Sequence, residues 1–231
     1  SCMKWDYGME EEFRVADTGL FITNEGNFQY GNATLSFYNP ATKEVENEIF
    51  YRANAMKLGD VAQSMVIRDG IGWVVVNNSH VVFAIDIHTG AVKWSFDELK
   101  NYVLTRPLVY RDKLYFGCWD THLYALNLSD GSLAWKWNNG KGNPKLSPAS
   151  VWPVAADGKI FITAPDRYFT CLDAETGAVV WRTNQYKVRE TVGLSEDGQT
   201  VYSKCMWDTI VALPTHHPIA NSEASPTPRW V

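Results

Sequence analysis

Short stretches of β-branched and aromatic residues recur along the chain and predict β-strands. Clear examples lie at residues 72–76, 113–117, 123–126 and 159–163. Turn-forming pairs separate such stretches, at Asp69-Gly70, Arg111-Asp112, Asp157-Gly158 and Asp197-Gly198. Because such pairs favour tight connections between antiparallel strands, the pattern predicts hairpins and an all-β chain.

A phrase of the form Asp-x-x-Thr-Gly-x-x-x-Trp repeats among these strands. It starts at Asp86 and Asp173, with a looser copy at Asn127, so the copies are 41 and 46 residues apart. A four-stranded unit of this length cannot bury both of its faces alone, so neighbouring sheets have to stack. The repeat therefore predicts a β-propeller of about five four-stranded antiparallel blades.

The units divide the chain into approximate ranges within one domain. After an N-terminal segment at 1–15, the predicted blades cover 16–59, 60–104, 105–149, 150–187 and 188–231. The tryptophans expected at equivalent positions between blades are Trp94, Trp135, Trp181 and Trp230. We expect the five units to close as a monomeric ring, with residues 3–7 close to residues 228–231.

Composition and charge narrow the function classes. Hydrophobic residues make up 45% of the chain and charged residues 20%, which is enough apolar material for a packed core. The net charge of −5 gives no basic stripe for nucleic acid. No apolar stretch is long enough to span a bilayer as a helix, so the sequence favours neither a nucleic-acid partner nor a transmembrane protein.

The four cysteines do not have the spacing of a zinc site or a redox pair. Cys118, Cys171 and Cys205 lie in strand-like stretches and are interpreted as small buried hydrophobic residues, although a disulfide stays open. The Ser-Cys start resembles the mature end of a bacterial lipoprotein, which makes Cys2 a candidate lipidation site. This predicts a bacterial envelope location, as an outer-membrane lipoprotein or in the periplasm; the alternative is the start of a trimmed sequence.

The phrase from Ala84 to Trp94, nearly repeated from Cys171 to Trp181, resembles the tryptophan-docking repeat of pyrroloquinoline-quinone-type propellers. The resemblance covers roughly residues 84–231. It implies the propeller fold, and many envelope members of this group carry no quinone.

The first half is similar to another group, the YncE-like surface propeller lipoproteins of Bacteroides. The segments that carry this resemblance are 24–28, 35–40 and 58–64, within roughly residues 5–87. One branch of that group captures cobalamin. The two resemblances meet near Asp86, so the chain is a natural mixture of repeat styles, a recombined or designed chimera, or an assembled sequence.

Enzyme chemistry finds little support in the sequence. The chain has no adjacent cysteine pair and no recognisable calcium-ligand set of the kind a quinoprotein dehydrogenase needs. No histidines show a paired metal spacing. We therefore expect a non-enzymatic protein without cofactor or metal; the alternatives are a quinone-dependent dehydrogenase and a recombined or designed propeller with a purely structural role.

Aromatic and charged residues recur just before or within the second strands of successive units. The candidate ligand-binding residues are Trp119, Asp120, Arg167, Tyr168, Arg189, Trp207 and Asp208. Such positions converge at one mouth of a propeller, where they could bind a planar or glycan-like ligand. The expected partner is a small molecule, such as a corrinoid, or an envelope protein; the alternative interpretation is packing between blades.

Overall fold

The structure is a computed structural model that describes residues 16, 18–206, 209–216 and 228. Five antiparallel sheets follow one another along these residues, and in each sheet the strands are hydrogen-bonded in chain order. Three sheets have four strands, and the first and last sheets have three.

The strands are short and their bounds are as follows. The first sheet contains β1 (Leu20–Asn24), β2 (Thr34–Asn39) and β3 (Glu44–Glu46), and a helix, α1 (Ile49–Asn54), comes after it. The second contains β4 (Ala62–Arg68), β5 (Ile71–Val76), β6 (Val81–Asp86) and β7 (Val92–Phe96). The third contains β8 (Leu108–Tyr110), β9 (Lys113–Gly117), β10 (Leu123–Asn127) and β11 (Leu133–Trp137).

Two short 3-10 turns, Pro144–Leu146 and Pro148–Ser150, lead into the fourth sheet. This sheet contains β12 (Val154–Ala156), β13 (Lys159–Thr163), β14 (Phe169–Asp173) and β15 (Val179–Thr183). The fifth contains β16 (Val188–Leu194), β17 (Thr200–Cys205) and β18 (Ile210–Pro214).

These sheets confirm the predicted all-β architecture of stacked antiparallel repeats. One sheet lies within each of the five predicted ranges. Two details differ from the prediction: the described parts of the terminal sheets have three strands instead of four, and the first repeat contains a helix. The closure of the five units into one ring stays a prediction.

The turn of the repeated phrase shows which strands the first sheet contains. In the complete sheets the turn glycine donates its N–H to the carbonyl four residues earlier, as Gly90 does to Asp86 at 2.8 Å. Lys43 donates in the same way to Asn39 at 2.8 Å, between β2 and β3. The three described strands of the first sheet therefore correspond to the second, third and fourth strands of a complete sheet.

In the described part of the fifth sheet, the strand at the opposite end of the repeat is the missing one. Its Thr215 N–H donates to the carbonyl of Gln199 at 3.1 Å, as Leu128 N–H does to Asp112 at 2.9 Å in the third sheet. Strands β16 to β18 thus correspond to the first three strands of a complete sheet.

Tryptophans connect one sheet to the turn of the next, as predicted. A Cβ added to Gly131 would lie 2.5 Å from the Trp94 ring, and one added to Gly177 would lie 2.6 Å from the Trp135 ring. Because both rings lie directly on glycine backbone, a side chain has no room there. The Trp94 indole N–H also donates to Leu128 O at 2.8 Å, and that of Trp135 to Ala174 O at 3.0 Å.

The other two predicted tryptophans differ in what the structure says of them. Trp181 is 1% exposed and packs in the apolar cluster between the fourth and fifth sheets. Its indole N–H has no hydrogen-bond partner among the described residues. Trp230 lies outside the described residues.

Helix α1 occupies the position of a docking tryptophan on the second sheet. The Ile49 side chain lies so close to Gly90 that an added Cβ would be 2.8 Å from it. The Asn54 side chain donates to Gly90 O at 2.9 Å and accepts from Val92 N–H at 2.9 Å. The first sheet therefore reaches its neighbour through a helix instead of an indole.

The predicted burial of the strand cysteines is confirmed. Cys118, Cys171 and Cys205 are buried free thiols in the apolar clusters between sheets. Burial raises the pKa of the Cys118 thiol to about 12. A thiol of this kind is protonated at neutral pH and contributes packing instead of nucleophilic chemistry.

Candidate functional site

The loops at one edge of the third and fourth sheets form the surface that carries the predicted site residues. We call this surface the loop face; it consists of residues 97–107, 118–122, 138–153 and 164–168. Trp119 N–H donates to Tyr102 O at 2.8 Å, and the Asn139 side chain donates to Asp166 at 2.7 Å. These bonds tie the loops within sheets to the loops between sheets.

The two loops that carry predicted residue pairs on the loop face have the same backbone structure. Trp119 and Asp120 lie between β9 and β10, and Arg167 and Tyr168 lie between β13 and β14. Each loop is closed by a backbone bond across three residues, from Thr121 to Cys118 at 3.1 Å and from Arg167 to Ala164 at 3.0 Å. This places Asp166 at the position of Asp120.

Trp119 and Tyr168, the predicted aromatic residues of the loop face, occupy different positions within their repeats. Tyr168 N–H donates to Asp166 Oδ1 at 3.1 Å, as His122 N–H does to Asp120 Oδ1 at 3.2 Å. Tyr168 is therefore equivalent to His122 and not to Trp119. Trp119 is partly buried, with an indole N–H that has no partner among the described residues.

The remaining predicted site residues lie elsewhere or outside the described chain. Arg189 is exposed on β16 of the fifth sheet. Trp207, Asp208 and Cys2 lie outside the described residues. Cys205 N–H donates to Thr209 O at 2.8 Å as Cys118 N–H does to His122 O, so the backbone register aligns Met206 with Trp119.

Asp120 anchors a hydrogen-bonded cluster on the loop face. Its Oδ2 accepts from the Tyr124 hydroxyl at 2.5 Å, and its Oδ1 accepts from His122 N–H. Burial and the neighbouring Asp120 carboxylate raise the pKa of the Tyr124 phenol, so Tyr124 is protonated and donates at neutral pH. His122 Nε2 in turn lies 3.0 Å from the Asn138 side chain.

Asp166 organises the equivalent cluster in the fourth sheet. Its carboxylate forms an ion pair with Arg182 and accepts from Asn139, and its side chain is only 3% exposed. The Arg182 guanidinium lies 3.8 Å from the centre of the Tyr168 ring, which adds a cation–π contact. Neither Asp166 nor Arg182 is among the site residues predicted from the sequence.

The hydrogen bonds of the two clusters stabilise the loops, and most of the polar groups in the clusters are already paired. Both carboxylates accept hydrogen bonds on each of their oxygens, and with side chains only 10% and 3% exposed, Asp120 and Asp166 have little contact with solvent. Among the residues that the structure describes, no group of three His, Cys, Asp or Glu side chains could hold a metal ion.

A central cavity opens beside the first strands of the sheets. It has a volume of about 480 Å³, and strands β4, β8, β12 and β16 contribute to its wall. Arg106 and Trp152, from the loop face, line it together with apolar side chains such as Leu108 and Val154. This size lies within the usual range for small-molecule sites.

Large apolar side chains are exposed on the loop face, and one of them, Trp152, also lines this cavity. Trp152 is 54% exposed, and Tyr102, Leu104 and Leu146 are 37 to 40% exposed. Arg106 is exposed and, within the described part of the chain, has no hydrogen bond or ion pair. The loop face thus combines apolar area with positive charge.

Comparison with known proteins places the chain in a family. Residues 28–148 match the family model described as outer membrane protein assembly factor BamB. The chain belongs to this family. The match crosses Asp86, so one model describes repeats on both sides of it. The PQQ-like propeller is thus confirmed, whereas the YncE-like first half and the chimera remain hypotheses.

Curated relatives share part of the chain. The chain is 31% identical to BamB of Escherichia coli over 110 residues. These residues make up 48% of this chain and 26% of that protein. It is also 31% identical over 138 residues to the quinohemoprotein alcohol dehydrogenase of Comamonas testosteroni, covering 53% of this chain and 19% of that protein. The chain spans less than a third of the length of these relatives.

Solved structures share the fold. BamB from Moraxella catarrhalis superposes with a TM-score of 0.58 at 16% identity, over 87% of this chain and 63% of that chain. The computationally designed Ika4 protein gives a TM-score of 0.54 at 14% identity, over 66% of this chain and 89% of that chain. In the described residues no helix has the length and apolar character needed to cross a membrane.

Proposed function

We propose that the chain is a non-enzymatic propeller of the bacterial cell envelope that binds a partner protein through its loop face. The observation that carries the proposal is the exposure of four large apolar side chains on this face, Tyr102, Leu104, Leu146 and Trp152, together with the unpaired Arg106, which lines the same cavity as Trp152. Aromatic residues and arginine are the side chains most enriched in the energetic centres of protein interfaces.

Two further features support a partner protein. Asp120 is hydrogen-bonded to Tyr124 of β10, and Asp166 is paired with Arg182 of β15; both bonds tie the loops to the sheets, which makes the loop face rigid and suits it to recognition. The family is described by the name of an outer membrane protein assembly factor, a protein that acts on other proteins. An envelope location, with Cys2 as a lipid anchor, fits the same proposal.

Site-specific photo-crosslinking in the native host tests the loop face. A photoreactive residue at Leu104 or Trp152 should give a discrete adduct with an envelope protein. The same residue at Asp69, which is 86% exposed in the β4–β5 turn, is the control. The absence of adducts from both loop-face positions, or equal adducts from Asp69, would count against the proposal.

A small molecule is the second candidate ligand, as an alternative to a partner protein. The central cavity with Arg106 and Trp152 suits a planar molecule with acidic groups, and a corrinoid remains the ligand suggested by the first-half resemblance. Calorimetry with cobalamin and haem tests it, with Trp152→Ala as the variant. A binding enthalpy that Trp152→Ala leaves unchanged would exclude the cavity.

A quinone enzyme is the competing function, and the identity to a quinohemoprotein alcohol dehydrogenase favours it. It predicts that pyrroloquinoline quinone with calcium gives alcohol oxidation and a shifted quinone absorbance. Neither signal is expected, because two aspartates of the loop face, Asp120 and Asp166, are already hydrogen-bonded within the protein.

A further inference from the structure

The central cavity is positively charged, although the chain as a whole has a net charge of −5. Two arginines, Arg68 and Arg106, line it, and the other described residues of its lining are apolar. No acidic residue belongs to this described lining. A cavity with charge of one sign in an apolar wall attracts ligands of the opposite charge. The lining therefore favours an anionic ligand that also has apolar surface.

The two arginines lie at opposite ends of the cavity. Two hydrogen bonds fix the position of β4 beside the third sheet. The Ser64 hydroxyl donates to Thr105 O at 3.4 Å, and the Arg68 guanidinium donates to Arg111 O at 2.6 Å. Arg106 follows Thr105 on the loop face, whereas Arg111 belongs to the turn between β8 and β9 at the other end of these strands.

The spacing of the two ends follows from the geometry of a strand. Ser64 and Arg68 are four residues apart on β4, which corresponds to about 13 Å between their Cα atoms at the usual rise of a strand. The bond to Arg111 O keeps the Arg68 guanidinium at the turn end, away from Arg106. A compact ligand with one acidic group can therefore pair with only one of the two arginines.

Both arginines keep donors that a ligand can use. Arg106 is exposed and has no hydrogen bond or ion pair within the described residues. Arg68 Nε lies 3.4 Å from Asp69 Oδ2, but the Asp69 side chain is 86% exposed, and ion pairs at such exposed positions are weak. A guanidinium has five N–H groups, so the bond to Arg111 O leaves others free.

The wall between the two arginines is apolar and accessible. Ile67 is 44% exposed, and Val66, Leu108 and Val154 are partly exposed. These side chains come from the first strands of three sheets. A ligand in the cavity can thus cover apolar surface along its whole length.

We propose that the central cavity binds a linear molecule with an acidic group at each end and an apolar chain between them, such as a long dicarboxylic acid. One carboxylate pairs with Arg106 and the other with Arg68, and the chain lies on the apolar wall. Hydrogen bonds between arginine and carboxylate are among the strong ones in proteins. The inference deepens the small-molecule alternative of the proposed function and rests on it. A planar acid held by Arg106 and Trp152 alone would not need Arg68.

Calorimetry with matched acids tests the proposal on the full chain. The probes are the dicarboxylates suberate and sebacate, and the monocarboxylates of equal chain length, octanoate and decanoate. At least one dicarboxylate should bind roughly tenfold more tightly than its monocarboxylate, because its second charge gains an arginine partner. Added salt should reduce this advantage.

Substitutions at the two ends locate the carboxylates. Arg106→Gln and Arg68→Gln should each reduce the dicarboxylate to the affinity of the monocarboxylate. Arg52→Gln is the matched control, because the side chains of Arg52 and Arg68 are both 38% exposed and each has one acidic partner. It should leave every affinity unchanged. Ile67→Ser should weaken both kinds of acid by the same factor, since it alters only the wall.

Arg68→Lys separates binding from a folding defect at the turn end. It keeps the positive charge, so it should keep part of the advantage of the dicarboxylate, and thermal melts identify any variant that fails to fold. Three outcomes overturn the inference: no linear acid binds, dicarboxylates bind no more tightly than monocarboxylates, or the advantage persists in both arginine-to-glutamine variants. If cobalamin or haem binds through Trp152 while the dicarboxylates do not, only this inference fails and the proposed small-molecule site stands. Crosslinks from the loop face report on the partner protein independently.

Discussion

Single aspartates organise the turns from which the repeat is built. Asp173 Oδ1 accepts from the backbone N–H groups of Glu175 at 3.0 Å and Thr176 at 2.8 Å, and from the Thr176 hydroxyl at 2.8 Å. Partial burial raises the pKa of this carboxyl, but the hydrogen bonds outweigh it and the pKa is lowered. The ionised form is therefore favoured in the folded chain.

This lowered pKa predicts acid sensitivity. Asp173 contributes stability above its unfolded pKa of about 3.9, and the contribution is lost as the pH falls through the lower folded pKa. Asp173→Asn keeps an acceptor oxygen, as Asn39 does naturally in the first sheet. We expect the variant to lose less stability than the wild type between pH 6 and about pH 3 in urea titrations.

Asp97→Asn is the control, since Asp97 is an exposed residue for which the described residues offer no hydrogen bond. Its acid response should match the wild type. An identical acid response of Asp173→Asn and the wild type would show that the turn carboxylate does not set this sensitivity.

Residue patterns predict turns better than they predict the side-chain network on the loop face. The turns follow from local residue types, because aspartate and glycine supply the acceptor and the positive φ within one segment. The pair of Asp166 and Arg182 joins a loop to a strand, and Arg182 reaches it only because it lies opposite Thr170 in the β14–β15 register. That register includes a shift after Cys171, which recurs at the equivalent positions of the second and third sheets and becomes visible only once the strands are paired.

At the scale of elements, the docking of a tryptophan on a glycine turn is the unit that joins neighbouring sheets. The repeated phrase predicts it because every copy carries a turn glycine and a tryptophan, and the tryptophan of one copy docks on the glycine of the next, as Trp94 does on Gly131. Helix α1 could not be predicted in this way, because six residues give too short a window for a 3.6-residue period. Its Ile49 takes the place of an indole on Gly90 without sharing its sequence.

The docking of an indole on a glycine predicts that alanine destabilises the fold much more at Gly131 than at Gly140. Gly131 and Gly140 have nearly the same φ, 75° and 74°, so alanine is strained at both. Only Gly131 lies under an indole, and no atom lies within 4 Å of a Cβ at Gly140. Overpacking should make Gly131→Ala about 1 to 3 kcal/mol more destabilising than Gly140→Ala in denaturant unfolding. Equal losses would show that backbone strain alone determines the cost.

The hydrogen bonding of the indole N–H groups predicts different losses of stability for substitutions of Trp135 and Trp181. Trp135 donates to Ala174 O in a buried hydrogen bond, whereas Trp181 has no acceptor among the described residues. Phenylalanine removes a hydrogen bond at position 135 but removes an unpaired donor at position 181. We expect Trp135→Phe to cost about 1 kcal/mol more than Trp181→Phe in free energy of unfolding. A larger loss for Trp181→Phe would mean that its N–H is paired in solution.

At the scale of the whole molecule, the first sheet is not built to receive a tryptophan from a preceding sheet. Its turn carries Lys43 at φ 62°, where the turns of the second, third and fourth sheets carry glycine. At Gly131 and Gly177 an added Cβ would already lie 2.5 and 2.6 Å from the docked ring, so Lys43 leaves no room for an indole. A ring closed at this sheet therefore cannot use the same docking as the other junctions.

The outward face of the first sheet is the surface that closure would have to bury. Leu20 and Val45 both lie opposite Tyr38 in the strand register, so they share one face with it. Leu20 is 61% exposed, Val45 50% and Ile22 41%. This apolar face is large enough to matter, because each such side chain contributes roughly 1.5 to 3 kcal/mol when it is fully buried.

Substitution of Leu20 decides between closure within one chain and assembly with another. If the five units close as predicted, the wild type is a monomer in light scattering, and Leu20→Asp places a charge in the apolar junction and lowers the free energy of unfolding by several kcal/mol. Leu133→Asp, at a leucine that is 40% exposed on β11, should have little effect. A wild-type dimer that Leu20→Asp converts into a stable monomer would show instead that this face packs against a second copy, and that the five sheets are part of a larger ring.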